Sequence, residues 1–497
     1  MKVVEKNGGD LHIICKRPVD VQIGDFLIIW DGLGRSSLIV QVIEETYLNV
    51  EGALLEAIRE EVLEADVQVD EEASSFKSLS NTVRDLILLR CKIRGSMRSG
   101  CYMQSMEHLP SRVSSRVEPI PVDRLLKSIY PTSSRFVYLG RAGQQSPFSI
   151  PIESLDGALT IITGKKGSGK SHLAKLLIRE LIQNHAKVVV LDINDEYKGI
   201  GYYRDGTPSP ICNRVLRLEP SKNLRFTLDY IGKKGISDIL CHALDLPTTS
   251  LREFLRIWEE LVEYDRLTLA DLIETISDRR VNEHVKEALI SRLLTLASSN
   301  LITEDHNRAT TFEDLFTKID EGGALIITLN RCTPLIRRIV VELILSKLTQ
   351  LLELCKIPPC FLFAEEAHLY LRETYWEDIV TRMRHLGLFT TLITNQPDAI
   401  KDCVYRQVDN IFIFNFSSEK DLEAIAKVSM IDGDTLKAIV KYIPPRYCLA
   451  VGRLTGNLPI LFNCAEADML TYGETKLFFP NTTPKTEGFD RNISRVC

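Results

Sequence analysis

The sequence predicts an α/β protein built on a mainly parallel sheet, interrupted by a helical bundle and preceded by a small β-barrel. Three observations predict it. Short β-rich runs separated by turn signals fill residues 11–45. From Phe136 onward, continuous apolar runs alternate with helical stretches, the pattern of parallel strands covered on both faces. Residues 235–317 are dense in Leu, Glu and Arg at helical spacing and contain no β-run.

The barrel rests on LHIIC from Leu11, VQIGDFLIIW from Val21, the tight-turn pair Asp31-Gly32, and SLIVQVI from Ser37. Residues 51–65 read as a helix, with Leu54, Leu55, Ile58 and Val62 on one face, and another strand is expected over 86–93. Residues 103–134, rich in Ser, Pro and Arg, read as a connector or extended arm. The later strands are expected over 158–163, 187–193, 323–329, 359–364, 389–394 and 410–416. The expected domains are a barrel with connector over 1–130, a core over 131–234 and 318–480, the helical insertion over 235–317, and a disordered tail over 481–497.

A chain of 497 residues calls for two or three domains. Its formal charge of −6 excludes nucleic-acid binding through a uniformly basic surface, so any such contact must be local, for example a ring of loops. The N-terminus, MKVVEKNGGDLHIICKRPVD, lacks the apolar core of a signal peptide. No run approaches the length of a membrane span, and a cytoplasmic location is expected. The 12 cysteines include no CxxC pair, so reduced thiols rather than disulfides or a zinc site are expected. The Asn481-Thr482-Thr483 sequon carries no meaning in such a compartment.

The chemistry begins at GKKGSGKS. Gly164, Lys165, Lys166, Gly167, Ser168, Gly169, Lys170 and Ser171, followed by His172, stand between an apolar strand and a helical stretch. In this P-loop pattern, glycines let backbone N–H groups turn inward around phosphates and the helix N-terminus adds positive potential. Lys170 reaches the β/γ-phosphates of ATP, and the Ser171 hydroxyl ligates Mg²⁺.

A second apolar strand ends in Glu365-Glu366-Ala367-His368, at the sheet edge where ligands of open α/β sheets bind. Glu365 is expected to hold Mg²⁺ through water, and Glu366 to polarise the attacking water. Asp192-Ile193-Asn194-Asp195-Glu196-Tyr197 follows another strand on the same edge, which suits a role for Glu196 beside the nucleotide or water; an Asn/Asp-rich turn is the plainer reading. Asn395 and Gln396 end the strand over 389–394, where an amide can sense the γ-phosphate. Arg382 and Arg384, just before that strand, are candidates to reach a neighbouring subunit's nucleotide. His368 and His385 read as polar packing residues.

The barrel with Val21-Gln22-Ile23-Gly24-Asp25, the P-loop, the Asp192–Tyr197 stretch, the helical insertion and the Glu365-Glu366-Ala367-His368 box together resemble HerA, the hexameric DNA-translocating ATPase of the FtsK–HerA group, with its N-terminal HAS-barrel. The resemblance extends to Pro444-Pro445-Arg446 and implies a RecA-like P-loop NTPase core. It makes Lys170 and Ser171 ligands of nucleotide and metal, Glu366 the catalytic base, and Arg384, three residues before Gly387, the arginine finger. Relatives usually carry Gln-Arg-Pro where this chain has Asn395-Gln396-Pro397. Alignment on the proline makes Asn395 the sensor, and alignment on residue type makes it Gln396.

The resemblance further implies a homohexamer around duplex DNA and a partner effector. That partner is a NurA-like nuclease in end resection, or another nuclease or a Sir2-like NADase in antiviral defence, with the barrel as docking surface. A ring scaffold that assembles such an effector with little DNA movement is the alternative, and a secretion-type pump is disfavoured because no membrane anchor is visible.

Overall fold

The computed structural model describes residues 1–16, 20–30, 37–47, 86–104, 109–143, 145–370, 382–416, 433–440 and 443–473, with residues 421, 423 and 425. The helix expected over 51–65, the Asp31-Gly32 turn, the sequon and the tail expected over 481–497 lie outside these residues.

The N-terminal sheet contains β1 (Lys2–Asn7), β2 (Asp10–Lys16), β3 (Phe26–Trp30), β4 (Ser37–Tyr47), β5 (Leu86–Arg98), β6 (Cys101–Met103) and β7 (Arg116–Pro119). Its order is β1-β2-β5-β4-β3-β7, antiparallel throughout, and it rolls until β1 and β7 approach each other. Strand β7 and helix α1 (Val122–Ile129) fall in the stretch expected as a connector. Pro119 at the end of β7 and Pro121 at the N-cap of α1 mark an edge strand and a helix start rather than an unstructured arm.

The apolar runs of β3 and β4 have a simple cause. Leu27, Ile29, Val40 and Val42 face the barrel interior, while Phe26, Ile28 and Ile39 belong to the core of the second sheet. Both faces are buried, so the usual alternation of apolar and polar residues is lost. Gln41, fully buried at this junction, donates from Nε2 to Gly24 O at 3.0 Å and to Pro459 O at 2.7 Å, and accepts from Arg94 Nε at 3.0 Å.

The second sheet comprises β8 (Phe136–Ala142), β9 (Ser146–Pro151), β10 (Thr160–Thr163), β11 (Lys187–Asp192), β12 (Val215–Leu218), β13 (Gly323–Thr328), β14 (Cys360–Glu365), β15 (Leu388–Thr394), β16 (Asn410–Ile413), β17 (Tyr447–Gly452) and β18 (Ile460–Cys464). The order is β12-β13-β11-β14-β15-β10-β16-β17-β18-β8-β9. From β12 to β16 neighbours are parallel; from β16 to β9 they are antiparallel.

Helix α2 (Lys170–Gln183) follows β10. The insertion between β12 and β13 contains α3 (Leu228–Asp238), α4 (Thr248–Glu263), α5 (Leu269–Asp278), α6 (Glu283–Ser298) and α7 (Phe312–Lys318). Helix α8 (Pro334–Glu353) starts cleanly: Thr333 Oγ1 accepts from the Ile336 N–H, and Pro334 occupies the first turn, where it has no donor to lose.

The sheet separates two cores. Val189, Leu191, Leu325, Ile327, Leu362 and Leu392 face α8 and the helical insertion. Val188, Val190, Ile326, Phe363, Phe412 and Phe462 face α2 and the outer side of the barrel. Burial on both faces makes the strand sequences continuously apolar, as expected of a parallel sheet. No helix among the described residues is long and apolar enough to cross a membrane, and the cysteines among them are free thiols.

Candidate functional site

The parallel strands run in register, β10 between β15 and β16, with β14 beyond β15. Their C-terminal ends therefore bring together the P-loop after β10, Glu365 at the end of β14, the amides after β15 and the acidic loop after β11. This is the edge on which an open α/β sheet binds ligands.

Gly164 and Gly169 let the loop turn against β16. A Cβ on Gly164 would lie 2.5 Å from Phe414 Cβ, and Gly169 has φ 119° with Phe414 Cε1 at 3.0 Å from such an atom. The loop is further tied by Lys165 N–H donating to Asn415 O at 3.0 Å and by Arg446 N–H approaching Ser168 O at 3.4 Å. Lys170 is buried; its ammonium donates to Gly164 O at 2.8 Å and Lys165 O at 3.0 Å, inside the loop. Lys165, Lys166 and Gly167 are exposed, and Ser168 is buried with no partner for its hydroxyl. His172 turns away and shares a hydrogen bond of 2.8 Å with Ala465 O.

Ser171 Oγ donates to Glu365 Oε1 at 3.0 Å. Glu365 is 2% exposed, and its second oxygen, Oε2, has no hydrogen-bond partner. Burial, with Glu196 and Asp192 nearby, pushes its carboxyl well above the usual carboxylate range, while the Ser171 bond and Lys175 oppose that shift. A hydroxyl and a carboxylate with a spare buried oxygen are hard donors that suit Mg²⁺.

Glu366 follows in the left-handed region, at φ 47° and ψ 46°, which aims it away from the strand direction. Its Oε2 lies 3.5 Å from His368 Nδ1, and that nitrogen is 3.0 Å from Thr394 Oγ1 at the end of β15. Burial lowers the His368 pKa, with Glu366 and Asp398 pulling it back up. Of the two amides, Asn395 is half-buried with an unpartnered Oδ1, whereas Gln396 is exposed and donates its N–H to Thr394 Oγ1 at 3.0 Å.

The acidic loop closes the other flank. Asp192 carboxylate oxygens accept the N–H groups of Glu196 and Tyr197 at 3.1 Å each, and Glu196 Oε2 lies 3.7 Å from Lys175 Nζ. Arg384 is set apart. It stands at the start of β15 and pairs with Asp409 Oδ2 at 3.2 Å, the same oxygen that accepts the Leu159 N–H at 2.8 Å. The length of β15, about 3.3 Å per residue, separates Arg384 from the P-loop of its own chain. Arg382 pairs with Glu353 at 3.4 Å on the surface.

Sequence reasoning gave His368 only a packing role and passed over Thr394, Lys175 and Phe414. The His368–Thr394 contact joins two strand ends far apart in sequence, so no spacing could show it. Lys175, four residues after Ser171, was open to reading, because that spacing puts both on one face of α2.

Residues 137–348 match the family model described as "Helicase HerA, central domain". No curated relative matches the chain. Among solved structures, VirB4 of Thermoanaerobacter pseudethanolicus aligns at 15% identity with a TM-score of 0.50, covering 68% of this chain and 97% of that one. The plasmid coupling protein TrwB in complex with the non-hydrolysable ATP analogue ADPNP aligns at 14% identity and TM-score 0.49, covering 74% and 95% respectively. At such an identity the VirB4 likeness is one of fold, in keeping with the mainly parallel P-loop sheet described above.

Proposed function

We propose that this chain is a Mg²⁺-dependent ATPase that assembles as a homohexamer, hydrolyses ATP between subunits to move duplex DNA, and powers a partner effector such as a NurA-like nuclease. The observation that carries the ATPase reading is the Ser171–Glu365 hydrogen bond beside the Lys170 loop, with Glu366 aimed onto the same edge.

Lys170 exchanges its loop carbonyls for β/γ-phosphate oxygens, and the P-loop N–H groups hold the rest of the phosphate chain. Ser171 and, through water, Glu365 would hold Mg²⁺, which when bound would draw charge from the phosphates. Glu366 accepts the proton of the attacking water, oriented by His368, which Thr394 holds in turn. Asn395 is the γ-phosphate sensor, because its amide is the half-buried one with an oxygen to spare. Arg384 serves the neighbouring subunit's nucleotide, since its own P-loop is a strand length away.

Several basic loops repeated around a ring would grip DNA without an overall basic chain, in keeping with the formal charge of −6. The test is the ATPase rate with and without linear duplex DNA. Stimulation of about tenfold or more supports translocation; a rate indifferent to DNA would replace it with a nucleotide-gated scaffold for a nuclease or Sir2-like effector, and no hydrolysis at all would sink the ATPase reading.

A further inference from the structure

Lys175 has no place in the scheme above, yet it is buried beside it, with its side chain 5% exposed. Lysine is almost never buried without a partner. Its ammonium lies 3.7 Å from Glu196 Oε2, donates to Tyr472 O at 2.9 Å, and stands 5.6 Å from the centre of the Tyr197 ring. Being four residues after Ser171 on α2, it faces the same acids: Asp192, Glu196 and Glu365.

The loop that presents Glu196 is held firmly. Asp192 accepts from its N–H groups, and Asp195 pairs with Arg217 at 2.9 Å and Lys198 at 3.2 Å. Gly473 closes over Glu196 so tightly that a Cβ there would stand 2.4 Å from Glu196 Cδ. Glu196 therefore stays at the cluster, and its charge must be met where it lies.

We infer that Lys175 is a positioning residue: a built-in counter-cation for the cluster of Asp192, Glu196 and Glu365, which keeps Glu196 from drawing a divalent ion and so leaves Ser171 and Glu365 as the one Mg²⁺ station. The inference rests on the ATPase reading for its consequence in turnover, but not for its charge balance. An ammonium stands among these acids where a divalent ion would otherwise be drawn.

The test is thermal melting of Lys175→Met, Lys175→Gln, Lys175→Arg and the double variant Lys175→Met/Glu196→Gln, without nucleotide, in EDTA and in Mg²⁺. Loss of the ammonium should create a Mg²⁺ response: the Met and Gln variants melt about 2 °C or more higher in Mg²⁺ than in EDTA. Wild type, the Arg variant and the double variant should not respond. In turnover, the Met variant should lose about tenfold or more in kcat with KM for ATP little changed, and Arg should restore it.

Met and Gln variants indifferent to Mg²⁺, or unfolded even in its presence, would overturn the inference. A Mg²⁺ response in them alongside a wild type that hydrolyses no ATP would uphold the charge balance and overturn the ATPase reading instead.

Discussion

At Glu366 the backbone takes a left-handed conformation that a non-glycine residue adopts at a cost. The neighbouring Glu365 is strained electrostatically, its carboxyl buried and its pKa raised by that burial and by Glu196 and Asp192. The sign of the consequence is fixed. A carboxyl with a raised pKa binds its proton more tightly in the folded state, so its contribution to stability is complete below the unfolded pKa and is lost as pH rises through the folded one. Glu365→Gln keeps the oxygen that accepts from Ser171 and removes the charge. Without Mg²⁺, the melting temperature of the variant relative to wild type should therefore climb between pH 5 and pH 8; a gap that stays level or narrows would contradict the assignment. At Gly164 the limit is steric: Gly164→Ala should abolish nucleotide binding, measured with a fluorescent ADP analogue, because Phe414 occupies the space. The proposed site residues could be named from the sequence, since the P-loop and the double glutamate are each contiguous. The choice between the two amides proposed as sensor was not legible, because Asn395 and Gln396 are neighbours in sequence and only folding separates their burial.

Among the elements, the six strands expected from apolar runs after Phe136 all form, because burial on both faces wrote itself into composition. Strand β12, VLRL, escaped notice because it lies at the edge of the sheet, where its residues are only partly buried. Strand β7, RVEP, did so for the same reason at the edge of the barrel. The two-faced burial of β3 and β4 also makes the barrel part of the second core rather than an appendage. Ile39→Ala, at a fully buried position in that shared core, should lower unfolding free energy by about 2–5 kcal/mol in chemical denaturation. A loss under about 0.5 kcal/mol would mean that the barrel packs more loosely than described.

For the whole molecule, the fold class was legible, whereas the proposed ring was not, because such a ring would leave no periodicity in one chain's sequence. The position of Arg384, at the strand-start edge and paired with Asp409, makes a definite demand on that assembly: the residue acts across subunits or not at all. Lys170→Ala and Arg384→Ala should each be inactive, and mixed subunits should regain ATPase activity where an intact P-loop meets an intact arginine. Mixtures that stay inactive after subunit exchange would remove Arg384 from the catalytic scheme.

The claim on which the rest depends is that Glu366 activates water on ATP held by Lys170 and Ser171. Its most direct measurement is ATP binding and hydrolysis by Glu366→Gln beside wild type. Binding within a few-fold of wild type, with hydrolysis reduced by about 100-fold or more, is the predicted result. A variant that hydrolyses ATP at the wild-type rate would contradict it and move the base to another carboxylate.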